Sequence, residues 1–187
     1  MSDWYKDPRR LWIARAYAAA KHEPDEPAVF ASYSALIAET SAQAALIPVR
    51  VLFTPDDPYM SGIQMLHEVA RTGILRIWTG GSPPVDHPLY GLNNWLFRAV
   101  HDWFGHFVPH NLFDAQGEEN AFRAHVAMYS AAARPALATE TRGQNCWSNF
   151  GPHLTRADSR EAYDSLPVDR PFAPQKATLL PSWAWRY

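Results

Sequence analysis

Prolines divide this chain before anything else does. Sixteen occur in 187 residues, and a proline inside a helix removes a backbone donor and clashes with the preceding turn. Helices must fit between them, and apolar patterning shows where. Leu11, Ala14, Tyr17 and Ala18 recur at helical spacing and predict a helix over Pro8 to Lys21. Pro27 suits a first helical position, and Val29, Phe30, Tyr33, Leu36 and Ile37 mark a second helix reaching about Leu46, before Pro48. Arg50 to Thr54 (RVLFT) reads as a short strand, closed by the turn-rich PDDP. Ser61 to Thr72 is helical again, stopped by Gly73, and Ile74 to Thr79 (ILRIWT) is a second strand that could pair with the first around the intervening helix.

The second half carries more polar residues beside apolar faces. Asn93 or Asn94 is expected to cap a helix with the stripe Leu96, Val100, Trp103 and Phe107. A further helix is expected from Glu118 to about Ala133, and Pro135 opens another through about Asn145. From Trp147 the chain is rich in proline (Pro152, Pro167, Pro171, Pro174, Pro181) and ends in Trp183, Trp185 and Tyr187, a tail expected to wrap the core. The fold class is mainly α (α+β): one compact helical domain over 1–187, with a small two-stranded element and a wrapping C-terminal tail.

Composition narrows the function classes. Apolar residues at 47% and charged residues at 19% argue against wholesale disorder. A formal net charge of −2 supplies no basic footprint for nucleic acid and no polybasic membrane anchor. The lone Cys146 can form neither an internal disulfide nor a thiolate zinc cluster. The opening MSDWYKDPRR is charged and the apolar run after it is broken by arginine, so neither a signal peptide nor a membrane span is expected. The expected setting is the cytoplasm. Phosphate-cradling, dinucleotide-binding and nucleophile-elbow motifs are absent from the sequence, as is the zincin His-Glu-x-x-His.

Histidine marks the candidate chemistry. His101 and His106 fall in FRAVHDWFGHF, on a helix with an apolar face. Five residues along an ideal α-helix is about 140° of rotation, so the two converge on one ion only if the helix loosens near Gly105. Asp102 and His106 are the i, i+4 pair that ideal geometry favours, and spacing does not choose between the pairs. Glu118 and His125 lie two turns apart on one face of a later helix. They could add a second metal, as in helical bundles that pair glutamates with histidines, or support the first. Glu118 and Glu119 also suit a helix N-terminus without any metal.

The string HDWFGH, His101 to His106, resembles the metal motif of the pterin-dependent aromatic amino acid hydroxylases: His, Glu or Asp, two residues, Gly, His. The resemblance covers roughly residues 97 to 142. It implies that His101 and His106 bind iron(II) and that a glutamate on a later helix completes the set, which here falls on Glu140 in ALATETRGQN. A 2-His-1-carboxylate set leaves one face of iron(II) open to dioxygen and substrate. The chain is shorter than that family's catalytic domain, and no pterin-binding segment is found in it. A second resemblance is wider: PYMSGIQMLHEV, HPLYGLNNWLFRAVHDWFGH, GEENAFRAH, ETRGQN and QKATLLPSW are similar to a group of uncharacterised bacterial and phage-associated proteins.

The leading expectation is a mononuclear non-haem iron(II) oxygenase or oxidoreductase acting on a small molecule. Asp102 would fix a histidine tautomer, Trp103 and Phe104 would wall the site, and Arg142, Gln144 and Asn145 would hold substrate or orient Glu140. Glu118 and Arg142 are further candidates for catalysis. The alternatives are a zinc or manganese hydrolase at the same ligands, a dinuclear carboxylate-histidine enzyme, and a non-enzymatic phage-related binding module.

Overall fold

The computed structural model describes residues 3–154 and 171–186. Helices dominate and one small parallel sheet accompanies them, the mainly α architecture read from the sequence. The first helices are α1 (Arg9–Ala19) and α2 (Pro27–Ala44), with Pro27 at the first helical position of α2. Then come β1 (Arg50–Thr54), α3 (Gly62–Thr72) and β2 (Ile74–Trp78). β1 and β2 run parallel, from Arg50 opposite Ile74 to Thr54 opposite Trp78. A parallel pair needs a crossover, and α3 is that crossover. Its ends are set by sequence: the Ser61 side chain accepts the Gln64 N–H at 3.3 Å, and Gly73 turns the chain at φ 65°. A side-chain cap of this kind contributes about 1 kcal/mol.

α4 (Leu92–His101) starts after Gly91 and runs without a break into a π-helical turn, Asp102–Phe107. Neither Asn93 nor Asn94 caps this helix, against the expectation from sequence; both lie inside it, and Asn94 is buried. α5 (Ala115–Val126) begins before Glu118 because Asp114 is its cap, its carboxylate accepting the Gly117 N–H at 2.6 Å. α6 (Arg134–Ala138), a second π-helical turn (Thr139–Gly143) and α7 (Gln144–Phe150) form one nearly continuous rod.

Three apolar clusters hold these elements together. Trp4, Ile13 and Tyr17 pack with Cys146, Phe150 and Leu180. Tyr33, Leu36, Phe97, Phe122, Tyr129 and Leu137 join α2, α4, α5 and α6. Met65, Val69, Leu75 and Ile77 seat the small sheet and α3 against Ala99 and Trp103. Glu119 and Arg142, both fully buried, tie α5 to the second π turn through a two-pronged ion pair at 2.7 and 2.8 Å. Trp4 and Phe122 cover the guanidinium.

Residues 171–186 cross the helices, as a wrapping tail should. Tyr17 donates to the Pro174 carbonyl at 2.8 Å, Thr139 to that of Thr178 at 3.0 Å, and Arg142 to that of Ala184 at 2.8 Å. Pro167 and Tyr187 lie outside the described residues. Among the described residues no helix is long and apolar enough to cross a membrane.

Removing one partner of a buried ion pair leaves the other charge without its counterion. Arg142→Met is expected to cost roughly 3 kcal/mol of stability, read as a lower urea midpoint. An unchanged midpoint would mean that Arg123, which also reaches Glu119 at 2.7 Å, carries the pairing alone.

Candidate metal centre

The π turn answers the question that spacing left open. Its hydrogen bonds run i to i+5, from Val108 N–H to the Trp103 carbonyl and from Asn111 N–H to that of His106, both at 2.9 Å. Five residues then make about one turn rather than overshooting it. His101 and His106 therefore face the same way, their rings edge-to-face at 4.9 Å. Gly105 permits this, because a Cβ there would meet the His101 ring at 3.2 Å and the Ala121 Cβ at 3.2 Å.

The carboxylate between them is Glu118, not Glu140. Glu118 Oε2 lies 3.6 Å from His101 Nε2 and 3.4 Å from His106 Nε2. The three side chains form a group able to hold one ion, with ligand atoms all within 4.8 Å of one another. α5 delivers Glu118 by packing tightly on the preceding loop; at Gly117 a Cβ would fall 2.0 Å from the Leu112 carbonyl oxygen. Glu118 and Glu119 are adjacent yet point apart, one to the histidines and one to Arg142.

Hydrogen bonds behind the rings set the tautomers. His106 Nδ1 donates to the Asn111 carbonyl at 3.2 Å, which leaves Nε2 for an ion. His101 is set by a longer relay. Gln43 Nε2 donates to the Met128 carbonyl at 3.3 Å, which aims Oε1 at His125 Nε2, 3.1 Å away. His125 thus carries its proton on Nε2. Burial first, then the neighbouring His101 and His106, push its pKa well below the ordinary value and keep it neutral. Its bare Nδ1 accepts from His101 Nδ1 at 3.3 Å, so His101 keeps a proton on Nδ1 and turns Nε2 toward Glu118. Both nitrogens of His125 are committed in this relay, and it is not a ligand.

Electrostatics fit the same picture. Burial alone would lower the pKa of His106, but the Glu118 charge and hydrogen bond outweigh it and raise it to about 9. Burial works against ionisation of Glu118, and the two histidines override it and hold the carboxyl well below the usual range. Asp102 is half-buried beside the cluster; desolvation raises its pKa against the pull of His106 and His101.

These groups line a cavity of about 460 Å³ together with Tyr59, Asn94, Phe97, Phe113, Gln144 and Phe172, a volume suited to a small molecule. Glu140 lines it too, bound to Tyr33 Oη and to Gln144 Nε2, and 3.3 Å from His87 Nε2. Gln144 and Asn145 line the cavity. Arg142 does not: it is in the core with Glu119. Trp103 and Phe104 are not on the wall either. Trp103 stacks on Phe107 at 4.6 Å, and Phe104 lies against His125 at 6.4 Å; Phe97 and Phe113 flank the histidines instead.

Sequence reasoning gave no part at the site to Gln43, Tyr33, His87 or Asn94. For Gln43 a signal existed: Tyr33, Leu36, Thr40 and Gln43 share one buried face of α2, and a glutamine there must be satisfied. No family model matches the chain, and no curated protein or solved structure is similar to it.

Two outcomes follow. Gln43→Leu frees the His125 and His101 tautomers and is expected to weaken zinc binding about tenfold, measured by competition with a chromophoric chelator; unchanged affinity would remove the relay. The Glu118–His106 pair stabilises the metal-free protein through opposite shifts. The lowered Glu118 contributes above its unfolded value of 4.5. The raised His106 contributes below its unfolded value of 6.5, and its share fades as pH rises through about 9. Melting temperature without metal should therefore fall between neutral pH and about 9, with a weaker fall in His106→Gln.

Proposed function

We propose that this chain is a mononuclear non-haem iron(II) enzyme, an oxygenase or related oxidoreductase that acts on a small molecule. Its metal ligands are His101, His106 and Glu118. The observation that carries the reading is the aim of the two imidazoles: each has Nδ1 tied back and Nε2 turned to one carboxylate oxygen at the wall of a cavity. Two histidines and one carboxylate leave coordination positions open, and the cavity is where dioxygen and substrate would enter. The bound metal would supply the redox chemistry. The protein's own part is to hold the ligands in one tautomer, to flank them with Phe97 and Phe113, and to keep Asp102 close as a proton acceptor or donor. With His125 used in the relay, one metal per chain is the expected stoichiometry.

A second reading keeps the ligands and replaces iron by zinc or manganese, which would activate water for hydrolysis. Histidine and carboxylate are ordinary ligands of zinc as well as of iron.

Metal analysis of protein purified without added metal separates these readings, combined with dioxygen uptake after anaerobic loading with iron(II). The expected result is about one iron per chain, uptake stimulated by substrate candidates, and loss of binding by at least a hundredfold in His106→Ala and Glu118→Ala. One zinc per chain with no uptake selects the hydrolase. Wild type that binds neither metal sinks both.

A further inference from the structure

The cavity wall holds a further buried carboxylate, Glu140. Its side chain is 4% exposed, and it lines the cavity. Its neighbours are donors of a neutral kind. Tyr33 Oη donates to Oε1 and Gln144 Nε2 to Oε2. His87 Nδ1 accepts the Leu89 N–H at 3.1 Å, which turns Nε2 toward Glu140 Oε1, 3.3 Å away. Cations nearby are committed elsewhere. Lys176 Nζ donates to the carbonyls of Tyr17, Ala18 and Ala20 at 3.0, 3.1 and 2.8 Å. Arg98, on the cavity wall, is held by the carbonyls of Trp78, Gly80 and Gly81. Arg76 is paired with Glu68.

The contrast with Glu119 is direct. That carboxylate is equally buried and is met by two guanidiniums, Arg142 and Arg123. Glu140 has no arginine or lysine partner among the described residues, although an unbalanced buried carboxylate is costly. A second observation points to a ligand in the same cavity. Asn94, 4% exposed and also on the wall, has an Nδ2 donor with no hydrogen-bond partner. Asn94 and His101 are two turns apart on α4, about 10.5 Å along its axis, so one small molecule can reach from the histidines to the Asn94 donor.

We propose that Glu140 anchors a substrate subsite: the cavity takes a small molecule bearing a cationic nitrogen, a primary ammonium or a guanidinium, whose charge Glu140 balances. Tyr33 and Gln144 hold the carboxylate in place for it, and the free Asn94 donor meets an acceptor on the same molecule. The proposal concerns the cavity of the suggested metal centre but does not need the metal.

The test is therefore run on chelator-treated protein, so that its failure is separable from failure of the metal reading. Ligand-observed NMR compares n-butylammonium with n-butanol, benzylammonium with benzyl alcohol, and butylguanidinium with both alcohols. At least one cation should bind roughly tenfold or more tighter than its neutral partner. Glu140→Gln should bring that ratio close to one, while Glu118→Gln, which alters another carboxylate on the wall beside Asp57 and Asp102, keeps it. Equal binding of cations and alcohols to the wild type overturns the proposal, and this comparison stands even where a variant fails to fold. A preference that survives Glu140→Gln, or that vanishes with Glu118→Gln, overturns it as well.

Discussion

An α-helix advances by about 100° per residue, and histidines five apart normally leave it in different directions. At Asp102–Phe107 that count is broken by a turn wound i to i+5. The turn costs hydrogen-bond quality and is tolerated where packing demands it. Here α5 supplies the demand. Ala121 sits against Gly105, and Glu118, one helical turn earlier on α5, lands between the two imidazoles. Without the extra residue in that turn, His106 would swing away and the carboxylate would face a single ring.

Rigidity behind this turn comes from two separate networks. Glu119, Arg142 and Arg123 lock α5 to the rod of α6 and α7 inside the core. Gln43, His125 and His101 link α2 and α5 to α4 through a line of directed hydrogen bonds. One network fixes where the helices lie, and the other fixes which nitrogen carries a proton. They meet in α5, whose consecutive glutamates serve the cavity and the core respectively.

Much of the frame was legible in the sequence. The strand Arg50 to Thr54, the helix ended by Gly73 and the start at Pro27 all stand where local chemistry puts them. The histidine pair was legible as a string, but its convergence was not, because apolar periodicity does not encode an i to i+5 turn. The choice between Glu118 and Glu140 depended on how two distant helices cross, which neither residue's neighbours in sequence report. Arg142 misled for a related reason. It lies two residues from Glu140, and in the second π turn those side chains leave toward opposite sides, one to the cavity and one to the core.

The cavity has a seam in time as well as in space. The wall that carries His101, His106 and Glu118 comes from α4, the first π turn and α5, whereas Pro171, Phe172, Ala173 and Gln175 form part of the remaining wall. During synthesis the ligand residues emerge some fifty residues or more ahead of that closing stretch. A nascent chain can therefore gather His101, His106 and Glu118 while the cavity still stands open to bulk water.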